Sequence, residues 1–299
     1  MSAASPDLAE RTDHEVVCDD GWRLAAAVVN RPGPRAVAIC GHAMMVDRRT
    51  MDARGAGLVS ALAARGVAVV WPDLRGHGAS GPLPSEGGSW CYDDLVERDT
   101  PALYRFARER FPGLPLFAVG HSLFGHVSLA HAARHPEAAP DGFVLLAANI
   151  WLPGLEPSPL RWLGKRALFA AATAVGAPLG RVPARRLRMG SADESWDYFG
   201  RFPRWAARGD WTAADGFSYF GNLGRIDRPA LAIAAAGDLL FGVPACVRAF
   251  VAPLPHHRFL LAGRAGDIVL PFDPDHMGIV TDPRSRPVWE KAADFVLGP

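Results

Sequence analysis

The 299-residue chain has only four cysteines, Cys18, Cys40, Cys91 and Cys246, and no CxxC pair. That scarcity argues against a disulfide framework or a cysteine-built metal knuckle and fits a reducing compartment. Charge of one sign is missing too: 32 basic residues face 31 acidic ones, for a net charge of +1. A balance this even gives no electrostatic reason to expect nucleic acid or an anionic membrane as partner. Apart from the strand-like runs, the most apolar stretch, Ala167 to Leu179, ends at Gly180 and a set of arginines. It falls short of the roughly 20 residues that cross a bilayer, so no integral membrane segment is expected. The opening MSAASPDLAERTDHE has no apolar h-region, which reads as no secretion signal and a cytoplasmic location. There is no GxGxxG or GxxxxGK[ST] phosphate loop and no solenoid-length repeat. His256-His257 lacks an obvious third ligand, so no metal and no cofactor are expected. The alanine- and arginine-rich composition is of the kind found in GC-rich bacterial genomes.

What is present is a soluble-type composition, 49% hydrophobic and 21% charged, in a chain long enough for a large α/β core. HEVVCDDGWRLAAAVV reads as two strands turning at Asp19-Asp20-Gly21. RAVAIC, VAVVWPD, LPLFAVG, GFVLLAA and PALAIAAAGD are continuous apolar runs, the pattern of strands covered on both faces. Helical spacing separates them over Met51 to Arg65, Tyr92 to Phe111, Leu123 to His135 and Pro244 to Val251. A last strand is expected around His257 to Leu261 and a closing helix over Val288 to Leu297. The fold class is therefore α/β, a mostly parallel central sheet with helices on both faces. Residues 151–224 break this alternation with five of the nine tryptophans and many arginines. They are expected to form a helical cap inserted into a core made of residues 1–150 and 225–299.

Ligands of such sheets bind beyond the carboxyl ends of the strands, so the last residues of each strand are where reactive groups are sought. The strand ending at Gly120 delivers His121-Ser122-Leu123 and then enters a helix. A tight strand-to-helix turn projects the Ser122 hydroxyl and brings the Leu123 N–H into the same space. A serine needs a base, and the base needs an orienting acid. Asp238 follows the strand Ala230 to Ala236, and His276 lies in FDPDHMGIV after the last strand. Asp267, Asp273 and Asp275 compete with Asp238 for the acid's role. His77 reads as a loop-stabilising histidine, and His121 and His126 as packing or hydrogen-bonding residues.

The chain resembles the α/β-hydrolase superfamily, in its serine esterase/lipase-like branch with a helical cap. The resemblance rests on DLRGHGASG (Asp73 to Gly81), on WCYDDLVERD (Trp90 to Asp99), on the elbow VGHSLFG and on IDRPALAIAAAGD, in that order. It implies Ser122 as nucleophile, Asp238 as acid, His276 as base and a small-molecule acyl substrate, with a homodimer left open. It also implies a second oxyanion donor in CGHAMMVDRR: Met44, or secondarily Ala43, beside Leu123. Two departures stand out. Phe124 occupies a position where the family has a small residue, so either it turns into the pocket beside His42 and His121 or the helix shifts outward at Gly125; the first is expected. Gly237 directly precedes Asp238, closer than the family's usual spacing. The implied reaction is hydrolysis of a carboxylic ester, thioester or lactone through an acyl-enzyme. Acyl transfer with the same triad, or a low-turnover binding protein on this fold, are the alternatives.

Overall fold

A computed structural model describes residues 10–298; the segment read as lacking a secretion signal lies largely outside them. Eleven strands are present among these residues: β1 (Glu10–Val17), β2 (Arg23–Asn30), β3 (Ala36–Gly41), β4 (Val67–Pro72), β5 (Leu116–His121), β6 (Gly142–Leu146), β7 (Arg181–Val182), β8 (Glu194–Ser195), β9 (Ala230–Ala235), β10 (His257–Gly263) and β11 (Ile268–Val269). Nine of them make one sheet in the order β1-β2-β4-β3-β5-β6-β9-β10-β11, and β7 with β8 form a separate ribbon. Pairing is antiparallel at β1–β2 and β2–β4 and parallel from β4 to β11. This is the mostly parallel α/β sheet expected from the sequence.

The apolar runs are continuous because both faces are covered. Along β3, Val37 and Ile39 enter one core with the helix Leu123–Arg134, while Ala38 and Cys40 enter the other with Leu58–Ala64 and Arg286–Leu297. The alternation of a strand places neighbours on opposite faces, so a two-sided sheet needs apolar residues at every position. The expected helix over Tyr92 to Phe111 has its break upstream of Pro101. A π-turn at Leu95–Asp99 precedes the regular helix Thr100–Arg110, whose second residue is Pro101. Helical backbone runs unbroken through Asp99 into this helix, so Pro101 does remove an intrahelical N–H; the π-turn lies directly before it, and Val96 O accepts from His131 Nδ1 at 2.9 Å instead.

Between β6 and β9 the chain leaves the main sheet. It carries a 21-residue helix, Pro159–Leu179, the β7/β8 ribbon and two shorter helices, Trp196–Phe199 and Arg201–Arg208. The aromatic residues Tyr198, Phe202 and Trp205 of this segment pack on Tyr92 of the core. A buried Glu156–Lys165 pair at 2.8 Å fastens the long helix beside Cys246. No helix among the described residues is long and apolar enough to cross a membrane.

Candidate active site

β5 ends in an abrupt turn. Ser122 sits at φ 49° and ψ −102°, a left-handed conformation costing a non-glycine residue about 1–3 kcal/mol. Its N–H donates to Leu146 O at 2.9 Å and its carbonyl accepts from His126 N at 3.3 Å, which ties the turn to β6 and to the helix it starts. Helix and strand cross here with no room for side chains. A Cβ on Gly120 would overlap the backbone of Gly125, and one on Gly125 would press on Ala148. Strain at Ser122 is thus held in place by two glycines flanking it in the crossing.

The two remaining members of the expected triad meet. His276 Nδ1 lies 2.6 Å from Asp238 Oδ2. Asp238 also accepts from the N–H groups of Leu240, Phe241 and Gly242, at 3.2, 2.9 and 2.6 Å. Burial pushes its carboxyl upward, but the His276 contact and these donors outweigh burial and hold it below the ordinary carboxylate value. The rival acids are committed elsewhere. Asp267 caps Leu261 N, Asp273 caps Arg264 N, and Asp275 caps Met277 N and Gly278 N. Gly237 adjoins Asp238 because the chain bearing His276 passes there: Gly237 N donates to Pro274 O at 2.9 Å, and a Cβ would crowd the carbonyls of Asp273 and Pro274.

Ser122 and His276 both line one cavity of about 1060 Å³, together with Ala43, Met44, His126 and Asn149. Among the described residues the Ser122 hydroxyl makes no hydrogen bond; such contacts often tighten only with substrate present. The N–H groups of Leu123, Ala43 and Met44 likewise donate to no protein acceptor among the described residues. The cavity wall is otherwise apolar, from Trp151, Leu168, Phe169, Val175, Phe199 and Phe202 among others, with Arg185 and Arg188 as its charged residues. It contains no carboxylate.

Three residues expected in the pocket are elsewhere. Phe124 is fully buried and does not line the cavity; its ring lies on Gly41 of β3, where any Cβ would overlap it. Gly41 pairs with Gly120 across β3 and β5, so the bulky elbow residue is accommodated by a glycine on the neighbouring strand. His42 is buried behind the β3 loop: its Nδ1–H donates to Ala43 O at 2.7 Å and its Nε2 accepts from Leu74 N at 3.0 Å. One donor and one acceptor require a neutral ring, in keeping with burial and nearby His77 lowering its pKa to about 3. His121 donates through Nε2 to the carbonyl of His276 at 2.8 Å, and burial lowers its pKa to about 3 as well. It sits beneath the His276 loop and does not face the cavity.

The Asp73–Gly81 motif supports the β3 loop from behind. Asp73 accepts from Arg48 N and Ala79 N, and Arg75 pairs with buried Asp99 at 2.6 Å. His77 has only acceptors around it: Arg75 O at 2.8 Å from Nδ1 and Glu194 Oε1 at 3.1 Å from Nε2. Both ring nitrogens thus face acceptors, an arrangement that a protonated ring satisfies. Burial pushes its pKa down, but the charge and hydrogen bond of Glu194 push it above the ordinary value. Glu194 Oε1 also accepts from Met45 N at 2.5 Å, which joins β8 to the loop carrying Met44. Sequence reasoning missed Glu194 and Asn149, since neither belongs to a motif. It read His126 as a packing or hydrogen-bonding residue; the ring does bond Tyr92 through Nδ1 at 2.8 Å, and it also lines the cavity.

Away from the cavity, Glu97, His131 and His135 bring three possible metal-ligand atoms within 4.8 Å of one another. Glu97 is engaged there by His135 at 2.7 Å and by Arg134 at 3.4 Å. His256 instead pairs with Asp227.

The profile of the family Hydrolase_4, described as serine aminopeptidase, S33, matches residues 51–187. Among curated proteins, none matches the sequence. Solved structures resemble the chain over almost its whole length. An esterase of Pyrococcus furiosus superposes with a TM-score of 0.62 at 15% identity, covering 97% of this chain and 92% of its own. A putative aryl esterase from Burkholderia cenocepacia gives 0.58 at 18%, covering 95% and 98%. A thioesterase domain from the curacin biosynthetic pathway gives 0.56 at 17%, covering 97% and 99%. At these identities the likeness is one of fold.

Proposed function

We propose that this chain, whose fold is that of the α/β-hydrolases, is a serine hydrolase that cleaves a carboxylic ester, thioester or lactone through an acyl-enzyme. The observation that carries the reading is the strained Ser122 in a cavity it shares with His276, whose far nitrogen is anchored on Asp238. His276 Nε2 removes the Ser122 proton as Oγ attacks the acyl carbon. Asp238 holds the Nδ1–H and stabilises the ring when it becomes charged. The developing oxyanion accepts hydrogen bonds from Leu123 N–H and Met44 N–H, each donor contributing about 3–4 kcal/mol to the transition state. His276 then protonates the leaving alcohol or thiol, and a water attacking the acyl-enzyme under the same base releases the acid.

The cavity supports a substrate with an extended apolar acyl group. Its volume of about 1060 Å³ is at the upper end of ligand pockets, usually about 300–1,000 Å³. An aminopeptidase substrate is disfavoured, because an N-terminal ammonium would meet two arginines and no carboxylate. The segment 151–224 serves in this reading as the cap: Leu168, Phe169, Val175 and Phe202 supply much of the apolar wall. The test is a p-nitrophenyl ester series of increasing chain length, run beside fluorophosphonate labelling. Stoichiometric labelling lost in Ser122→Ala, with a medium- to long-chain optimum, is expected. A folded protein that remains unlabelled would overturn the proposal.

A further inference from the structure

The helix Pro159–Leu179 buries only Lys165, Phe169 and Gly176, which lie along one stripe. The opposite face, at helical spacing from that stripe, carries Leu160, Leu163, Ala167, Ala174 and Pro178. Leu160 is 80% exposed and Leu163 61% exposed. A surface helix ordinarily puts charge on its outer face, and this one has carbon. Exposed Leu168, Val175, Leu187, Met189 and Phe241 continue the apolar surface around the cavity mouth, which they line.

Charge is sorted in the same place. From Pro157 to Ala192 there are six arginines, one lysine and no acidic residue. The whole chain carries +1, so the rest carries 1 − 7 = −6. Lys165 and Arg161 pair with Glu156, while Arg166, Arg181, Arg185, Arg186 and Arg188 form no ion pair among the described residues. An even overall balance therefore conceals a basic stretch: Arg166 lies on the helix itself, Arg181 and Arg186 follow it, and Arg185 and Arg188 line the cavity beside the exposed Leu187 and Met189.

We propose that this face docks the protein on an anionic lipid surface, with the long helix lying in the interface and the cavity mouth turned toward the bilayer. An outer apolar stripe flanked by arginines is the composition of an interfacial helix. A second copy of the chain fits less well, because a two-fold contact on this face would set its arginines against their own copies.

Vesicle sedimentation of Ser122→Ala protein tests the docking apart from the proposed catalysis. The protein is expected to pellet with phosphatidylcholine vesicles containing phosphatidylglycerol, less with phosphatidylcholine alone, and to be released as salt shortens the Debye length from about 30 Å to about 8 Å. Leu160→Asp/Leu163→Asp should abolish pelleting with an unchanged thermal melt. Arg166→Gln and Arg186→Gln should each weaken it about fivefold. No pelleting with anionic vesicles at low salt, or equal pelleting by the double aspartate variant, would overturn the proposal. So would a dimer in solution that the double aspartate variant converts to monomer.

Discussion

Two of the molecule's histidine–carboxylate pairs are largely buried and built to different ends. His276–Asp238 closes at 2.6 Å on the cavity wall, with the imidazole side chain 13% exposed. His77–Glu194 closes at 3.1 Å with both side chains fully buried. In the first pair only Nδ1 is committed to a carboxylate, leaving Nε2 to move a proton. In the second both nitrogens are engaged, by Glu194 and by Arg75 O, so neither is turned to the cavity. A histidine beside a carboxylate is thus not yet a base; the partner of its second nitrogen decides. The first pair is expected to govern turnover. The second joins the Asp73–Gly81 loop to β8 and, through Met45 N, to the loop presenting Met44.

The largest effects should come from the cavity pair and its serine. Ser122→Ala and His276→Ala are each expected to lower kcat by about 10⁴-fold or more, and the double variant by little beyond either alone. Asp238→Asn should cost about 10³–10⁴-fold, because the amide favours the wrong tautomer of His276. Steady-state rates on one p-nitrophenyl ester check all four. Strictly additive losses would mean that the residues do not act as a unit.

Breaking the buried pair should do less to the chemistry and more to the fold. Glu194→Ala strands the Met45 N–H and the His77 ring, costing about 2–4 kcal/mol of stability. A loosened oxyanion loop should lower kcat by about 10²-fold at most with KM little changed. Denaturant titration and kinetics on the same sample separate the two. A loss as large as that of Asp238→Asn would end the distinction between the pairs.

The elbow offers a third test. Phe124→Ala is expected to cost about 3–5 kcal/mol while leaving the ester chain-length optimum where it was, because the ring fills space over Gly41 and does not wall the cavity. Gly41→Ala should be strongly destabilising alone and only partly relieved in the Phe124→Ala background, because the Phe124 Cβ that alanine keeps would itself crowd the new Cβ; a double-mutant cycle reads the coupling. A shifted chain-length optimum would put the ring back in the pocket.

Phe124 and Gly41 show where the sequence stopped being readable. The sheet was legible because each parallel strand is a continuous apolar run such as Ala230–Ala235, a property of neighbours in the chain. Ser122 was legible for the same local reason, from the strand, glycine and helix around it. Asp238 and His276 were legible from their places after strands. The direction of Phe124 is set by Gly41, on another strand, and no local pattern carries that dependence. Glu194 comes from a segment without a motif and acts on a loop far from it in the chain. The arginines between Pro157 and Ala192 were counted into a neutral total, although they fall in one stretch without an acidic residue.

The smallest expected effect sharpens the comparison most, because the two pairs should lose stability at opposite ends of the pH scale. The His77 ring is held above the ordinary 6.5, so its contribution is complete below that value and fades as pH rises through the raised one. The Asp238 carboxyl is held below the ordinary 3.8, so its contribution is present above that value and fades as pH falls through the lowered one. Thermal melts across pH should therefore show His77→Gln flattening the alkaline limb and Asp238→Asn the acid limb, each leaving the other limb intact. If His77→Gln left the alkaline limb as steep as in the parent, the ring would not be charged. The buried pair would then be a neutral hydrogen bond holding the loop by geometry alone.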